Sequence, residues 1–118
     1  MEKLPSFVEL PSFERYREDY LNDDQYKDLQ ILLIKNPKAG DVIRNTAGLR
    51  KLRFEDTRRG KGKKGGLRII YYYQTTALEF LLFTIYGKNE VTDLSAKEKA
   101  YFKLELEREL NARYKGNT

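Results

Sequence analysis

The spacing of apolar positions changes several times along the chain, and each change marks an element. Phe7 to Leu10, bounded by Pro5 and Pro11, reads as a short strand. Ser12 suits an N-cap, and Phe13, Tyr16, Tyr20 and Leu21 then recur at helical spacing. Asp23 and Asp24 open a second helix, whose apolar stripe is Tyr26, Leu29, Leu32 and Leu33. Asn36-Pro37 closes it, because the residue before proline avoids the helical region. Gly40 to Thr46 reads as a connection. From Leu49 to Phe54 the period becomes two, with Leu52 and Phe54 on one side and Lys51 and Arg53 on the other. Leu67 to Tyr73 repeats the pattern: Leu67, Ile69 and Tyr71 share one face, and Arg68, Ile70 and Tyr72 the opposite one. Gln74 to Ala77 has the length of a hairpin turn. Leu78 to Ile85 is apolar on both faces apart from Glu79 and Thr84, as expected of an inner strand covered on both sides. Ser95-Ala96-Lys97-Glu98 is a capping-box pattern, and Phe102, Leu106 and Leu110 follow at i, i+4 and i+8. The predicted order is β-α-α-β-β-β-α. It describes an α+β fold, an antiparallel sheet with two N-terminal helices and a C-terminal helix packed on one face. The 118 residues suit one domain spanning 1–118.

Composition narrows the chemistry. The chain has no Cys and no His. Disulfides, thiolate nucleophiles, Ser-His-Asp triads and His-based zinc sites are therefore excluded. The segment Met1 to Leu10 carries no apolar core of a secretory signal, and no apolar run reaches membrane-spanning length. The expectation is a cytoplasmic protein without membrane contact.

Charge is distributed unevenly. Lys and Arg number 23 against 18 Asp and Glu, a net +5. The window Arg50 to Arg68 alone carries +7, through Arg50, Lys51, Arg53, Arg58, Arg59, Lys61, Lys63, Lys64 and Arg68 against Glu55 and Asp56. The remainder of the chain is slightly acidic. A solvated lysine-rich loop would produce part of this excess. The interleaved Gly60, Gly62, Gly65 and Gly66 add something else, since they let backbone approach a phosphate chain closely. A local field of this sign is the footprint of a polyanion site.

If the strands at 49–54 and 67–73 pair as a hairpin, Lys51, Arg53 and Arg68 share one sheet face. Three convergent cations make a phosphate clamp, to which Arg adds bidentate geometry. RNA supplies its own nucleophile, the 2′-OH, so its cleavage needs a base, an acid and stabilised phosphate charge, but no metal or cofactor. Crowding by other cations favours the neutral form of an ammonium, which assigns Lys51 as base and Arg53 and Arg68 as stabilisers. Lys88, Tyr72 and Tyr86 are the candidates for the proton donor. Asp23-Asp24 reads as helix capping, and Glu105, Glu107 and Glu109 spread around a helix rather than forming a metal cage. The glycine-rich segment lacks the Gly-Lys-Ser/Thr close of a P-loop.

Four blocks carry a resemblance: Asn36 to Ile43, Gly48 to Phe54, Gly60-Lys61-Gly62-Lys63-Lys64-Gly65-Gly66-Leu67-Arg68-Ile69-Ile70-Tyr71-Tyr72, and Thr84-Ile85-Tyr86-Gly87-Lys88-Asn89-Glu90 downstream. With them the chain resembles the HigB-like branch of the RelE/ParE toxin superfamily of bacterial type II toxin–antitoxin modules, from about Phe7 to about Tyr114. The resemblance implies a RelE-like fold and a ribosome-dependent mRNA interferase, an endoribonuclease that cuts mRNA in the ribosomal A site. It maps the basic set of the second and third strands onto Lys51, Arg53 and Arg68. Where RelE has a further Arg after the last strand, this chain has Asn89 beside Lys88. Where RelE has a Tyr at the start of its last helix, this chain has about Ser95. Arg50, Arg58, Arg59, Lys61, Lys63 and Lys64 fall to RNA and ribosome binding. The implied partners are the ribosome, mRNA and a cognate HigA-like antitoxin with a helix-turn-helix. Two alternatives stand beside it: a non-catalytic nucleic-acid-binding module using the same basic patch, and a ParE-like poison of DNA gyrase, a branch that shares the fold but generally lacks this basic set.

Overall fold

The computed structural model describes residues 4–55, 66–88 and 94–114. The elements are β1 (Ser6–Glu9), α1 (Pro11–Tyr20), α2 (Asp23–Lys35), β2 (Asp41–Val42), β3 (Arg50–Phe54), β4 (Leu67–Gln74), β5 (Glu79–Gly87) and α3 (Ala96–Tyr114). The fold is α+β in the expected order, with one addition. The 40–46 connection contains the two-residue strand β2, which pairs with Arg50 and Lys51.

Local chemistry sets the helix ends. Leu10, extended at φ −78° and ψ 164°, precedes α1, and Pro11 occupies its first turn. A proline there loses no hydrogen bond and arrives with helical φ. This displaces Ser12 from the expected N-cap into the helix, where its hydroxyl meets that of Thr84 at 2.7 Å. For α2 the cap is Asn22 rather than the two aspartates. Its side chain accepts from the Gln25 N–H, and the Gln25 side chain accepts from the Asn22 N–H. The capping box at α3 forms as expected between Ser95 and Glu98.

The strands lie in the order β1-β5-β4-β3-β2. The β2–β3, β3–β4 and β4–β5 pairs are antiparallel. β1 pairs with β5 in parallel, so the sheet is mixed rather than wholly antiparallel. Two helices separate β1 from the rest of the sheet, which gives the chain enough length to return in the same direction. The helices also cover both faces, not one. Phe13, Leu29 and Leu33 of α1 and α2 pack on Leu52, Ile69, Tyr71 and Leu82. Phe102 and Leu106 of α3 pack on Ile70, Leu81 and Phe83 from the other side.

One irregularity sorts the residues of β5. Ile70 pairs with Thr84 but Tyr71 pairs with Leu82, so Phe83 is an extra residue in the ladder. Without this bulge, alternation would place Tyr86 on the face of Phe80 and Leu82. With it, Tyr86 joins Phe83 and Phe102 on the α3 face.

Tyr71 ties the sheet to the turn after α2. Its buried hydroxyl donates to the Pro37 carbonyl at 2.8 Å and accepts from the Gly40 N–H at 3.0 Å. Gly40 has to be glycine here, because a Cβ would lie 2.9 Å from the Tyr71 ring and 3.0 Å from the Lys51 carbonyl. Tyr71→Phe should cost about 1–3 kcal/mol by leaving two backbone groups unsatisfied. Gly40→Ala should cost a similar amount, about 1–3 kcal/mol, by overpacking. Urea unfolding of each variant measures both, and full wild-type stability in either would contradict the arrangement.

Three tyrosines make stability fall at alkaline pH. Burial holds Tyr26, Tyr71 and Tyr114 above the ordinary phenol value of 10.0, and Tyr26 and Tyr114 also donate to Glu9 and Glu79. Phenols harder to ionise when folded contribute stability that is complete below pH 10 and lost as pH rises above it. The urea midpoint should hold between pH 8 and 9.5 and drop by pH 11. Absorbance near 295 nm should show part of the nine tyrosines ionising only on unfolding.

Candidate functional site

The β3–β4 register builds the site. Arg53 lies directly opposite Arg68, and Lys51 opposite Ile70. Because opposed residues in an antiparallel pair share a face, Lys51, Arg53 and Arg68 all stand on the α3 side. On β5, Tyr86 lies opposite Arg68. Arg53, Arg68 and Tyr86 therefore form one row across three strands, and Lys51, Ile70 and Thr84 form the next.

Exposure differs among the three cations. Arg53 is exposed, Lys51 is half-buried and Arg68 is only 4% exposed. Arg68 is thus a buried member of the cationic set: its neighbours Leu67 and Ile69 are fully buried, and the strand carries it in with them. One guanidinium nitrogen of Arg68 donates to the Leu67 carbonyl at 3.0 Å. Burial, and then the charge of Arg53, push the Arg68 pKa down, while Tyr86 pulls it back up. A guanidinium still keeps its proton at neutral pH. Two like charges face each other across the ladder, one of them largely out of water, and an anion bound between them would relieve both costs.

The other expected residues divide. Lys88 is half-buried one residue past β5, and its N–H donates to the Gly66 carbonyl at 2.9 Å, which brings it beside the start of β4. Arg50 is turned the other way. It donates to the carbonyls of Gly40 at 2.7 Å and Lys38 at 3.4 Å, bracing the same turn that Tyr71 holds. Of the two tyrosines considered as proton donors, Tyr86 adjoins Arg68. Tyr72 is four residues along β4, roughly 13 Å away, with its ring near Gly48. Arg58, Arg59, Lys61, Lys63, Lys64 and Asn89 lie outside the described residues.

Two concavities border the row. A cleft of about 420 Å³ lies between the end of α2, at Leu32 and Asn36, and Lys51 and Arg53. On the β5 side, a cleft of about 410 Å³ runs between α1 and α3, with Tyr86 in its wall. Sequence reasoning did not single out this second cleft. Tyr16 counted towards the buried stripe of the first helix, yet it is 38% exposed at the cleft mouth.

No protein-family model matches the chain. Among solved structures, the chain is similar to the isolated RelE toxin of E. coli, with 14% sequence identity and a TM-score of 0.45, over 91% of this chain and 98% of that one.

The opposed arginines predict a stability signature. Arg68→Met keeps most of the buried stem and removes the charge, so the variant should match or exceed wild type by about 1 kcal/mol at low salt. Added inorganic phosphate should raise the wild-type melting temperature, through binding to the folded state alone, and should raise that of the variant less. Equal shifts in both proteins would remove Arg68 from the anion site.

Proposed function

We propose that this chain is the toxin of a type II toxin–antitoxin module, a metal-independent endoribonuclease that cleaves mRNA in the ribosomal A site. The observation that carries the proposal is the cross-strand placement of Lys51, Arg53 and Arg68 on one rigid face. The +7 window around them supports it. The residues of the HigB-like resemblance supply the ribosome and mRNA as targets.

In this reading Lys51 takes the proton of the 2′-OH. The 2′-oxygen attacks the adjacent phosphorus, the bond to the 5′-oxygen breaks, and a 2′,3′-cyclic phosphate forms. Arg53 and Arg68 hold the phosphoryl oxygens as their charge grows. The leaving 5′-oxygen takes a proton from Tyr86, in the row itself, or from Lys88, one residue past β5, with Asn89 assigned alongside them from the resemblance. Arg58, Arg59, Lys61, Lys63 and Lys64 steer the complex onto ribosomal and messenger RNA. A cognate HigA-like antitoxin with a helix-turn-helix restrains the toxin in the cytoplasm.

Primer extension on a reporter mRNA in a reconstituted translation system tests this. Wild type should cut within codons only when ribosomes are present. Arg53→Ala, an exposed position, should slow cleavage about 10²-fold without loss of fold. Lys51→Ala should do at least as much. Intact mRNA in every lane would support the non-catalytic RNA-binding reading, and a gyrase supercoiling assay would then test the ParE-like one.

A further inference from the structure

The cleft between α1 and α3 has features that the cleavage chemistry does not use. It lies along β5 beyond the reach of β1, whose pairing stops at Leu82. Its floor includes the Ser12 and Thr84 hydroxyls, joined at 2.7 Å. Through Ser12, Tyr16 and Phe102 it continues into a second hollow of about 320 Å³ that reaches Tyr101. Two aromatic rings stand at the mouth, Tyr16 at 38% and Tyr101 at 59% exposure. Arg15 lies over the Tyr16 ring at 5.3 Å, and Tyr101 meets Phe102 edge-on at 5.5 Å.

The position of this cleft decides what it suits. Tyr86 both lines it and stands opposite Arg68. With neighbouring strands about 4.8 Å apart, the row runs from cleft to Arg68 to Arg53 within about 10 Å. An aromatic cleft thus opens beside a row of cations. Single-stranded nucleic acid is recognised in this way, with phosphate on cations and bases stacked on aromatic side chains.

We propose that the α1–α3 cleft is a nucleobase subsite. It takes the base of a nucleotide next to the one whose phosphate lies at Arg68, with Tyr16 and Tyr101 as the stacking residues and the Ser12–Thr84 pair facing the base edge. The inference rests on the RNA reading above and adds the site where a base is gripped.

The probe is a labelled, fully 2′-O-methylated RNA pentamer, which cannot be cleaved, together with versions carrying one abasic position each. Fluorescence anisotropy gives affinity and salt dependence. Tyr16→Ala and Tyr101→Ala change exposed side chains and should each weaken binding roughly five- to hundredfold while leaving the salt slope unchanged. One abasic position should weaken wild-type binding by a similar factor, and on that probe the tyrosine variants should bind like wild type. Wild-type affinity in both variants would overturn the proposal. So would equal losses on intact and abasic probes, or no binding of the pentamer at low salt. The cleavage assay separates the two readings. If base-dependent binding persists in a protein that cuts nothing, the subsite stands and the enzyme falls. If cleavage is normal while both variants bind like wild type, the enzyme stands and the subsite falls.

Discussion

The structure depends on the register between β3 and β4. Side chains alternate with a period of two, and helices cover both faces of the sheet. A slip of one residue would drive Lys51 and Arg53 against α1 and α2 and turn Leu52 towards the cationic face. Hydrophobic sorting alone resists that slip, and the turn after α2 reinforces it. Tyr71 grips the turn from β4 through Pro37 and Gly40, and Arg50 grips it from β3 through Lys38 and Gly40. Both strands are pinned to the same four-residue segment. The placement of the cations is thus a by-product of packing on the opposite face.

This separation of duties explains why cations of equal appearance in the sequence behave differently. Arg50 and Arg53 are three residues apart on one strand, yet one braces a turn and the other faces Arg68. Arg50 has carbonyls to satisfy its guanidinium, whereas Arg53 has another guanidinium opposite it. Like charges directly opposed on adjacent strands are mutually unfavourable, and an anion between them offsets that cost.

The helices, the inner strand and the α3 capping box were legible because each rests on local chemistry: apolar spacing, Asn36-Pro37, and Ser95 with Glu98. The face shared by Lys51, Arg53 and Arg68 was legible too, since alternation and a hairpin are enough to give it. What the sequence hid was non-local. The stripe of Phe102 and Leu106 shows that α3 is amphipathic but not which side of the sheet it covers. Pro11 outranked Ser12 at the start of α1, a competition between two good signals. The burial of Arg68 follows from its place on an inner strand between β3 and β5, and the direction of β1 follows from the path of two helices.

The bulge at Phe83 carries a consequence of a different kind. Beyond it, each residue of β5 faces a side opposite to the one its count from Glu79 would give. Substitution at Phe83 alters packing, but closing the bulge with every residue kept would alter address. Ile85 would move from the α1–α2 core to the α3 side, and Tyr86 would leave Arg68 for the core. A strand that lost Phe83 itself would return to plain alternation and keep both addresses, so the surplus residue and the irregular ladder compensate one another. Its single surplus residue works as a frame marker, one that decides which side chains the cationic face can see.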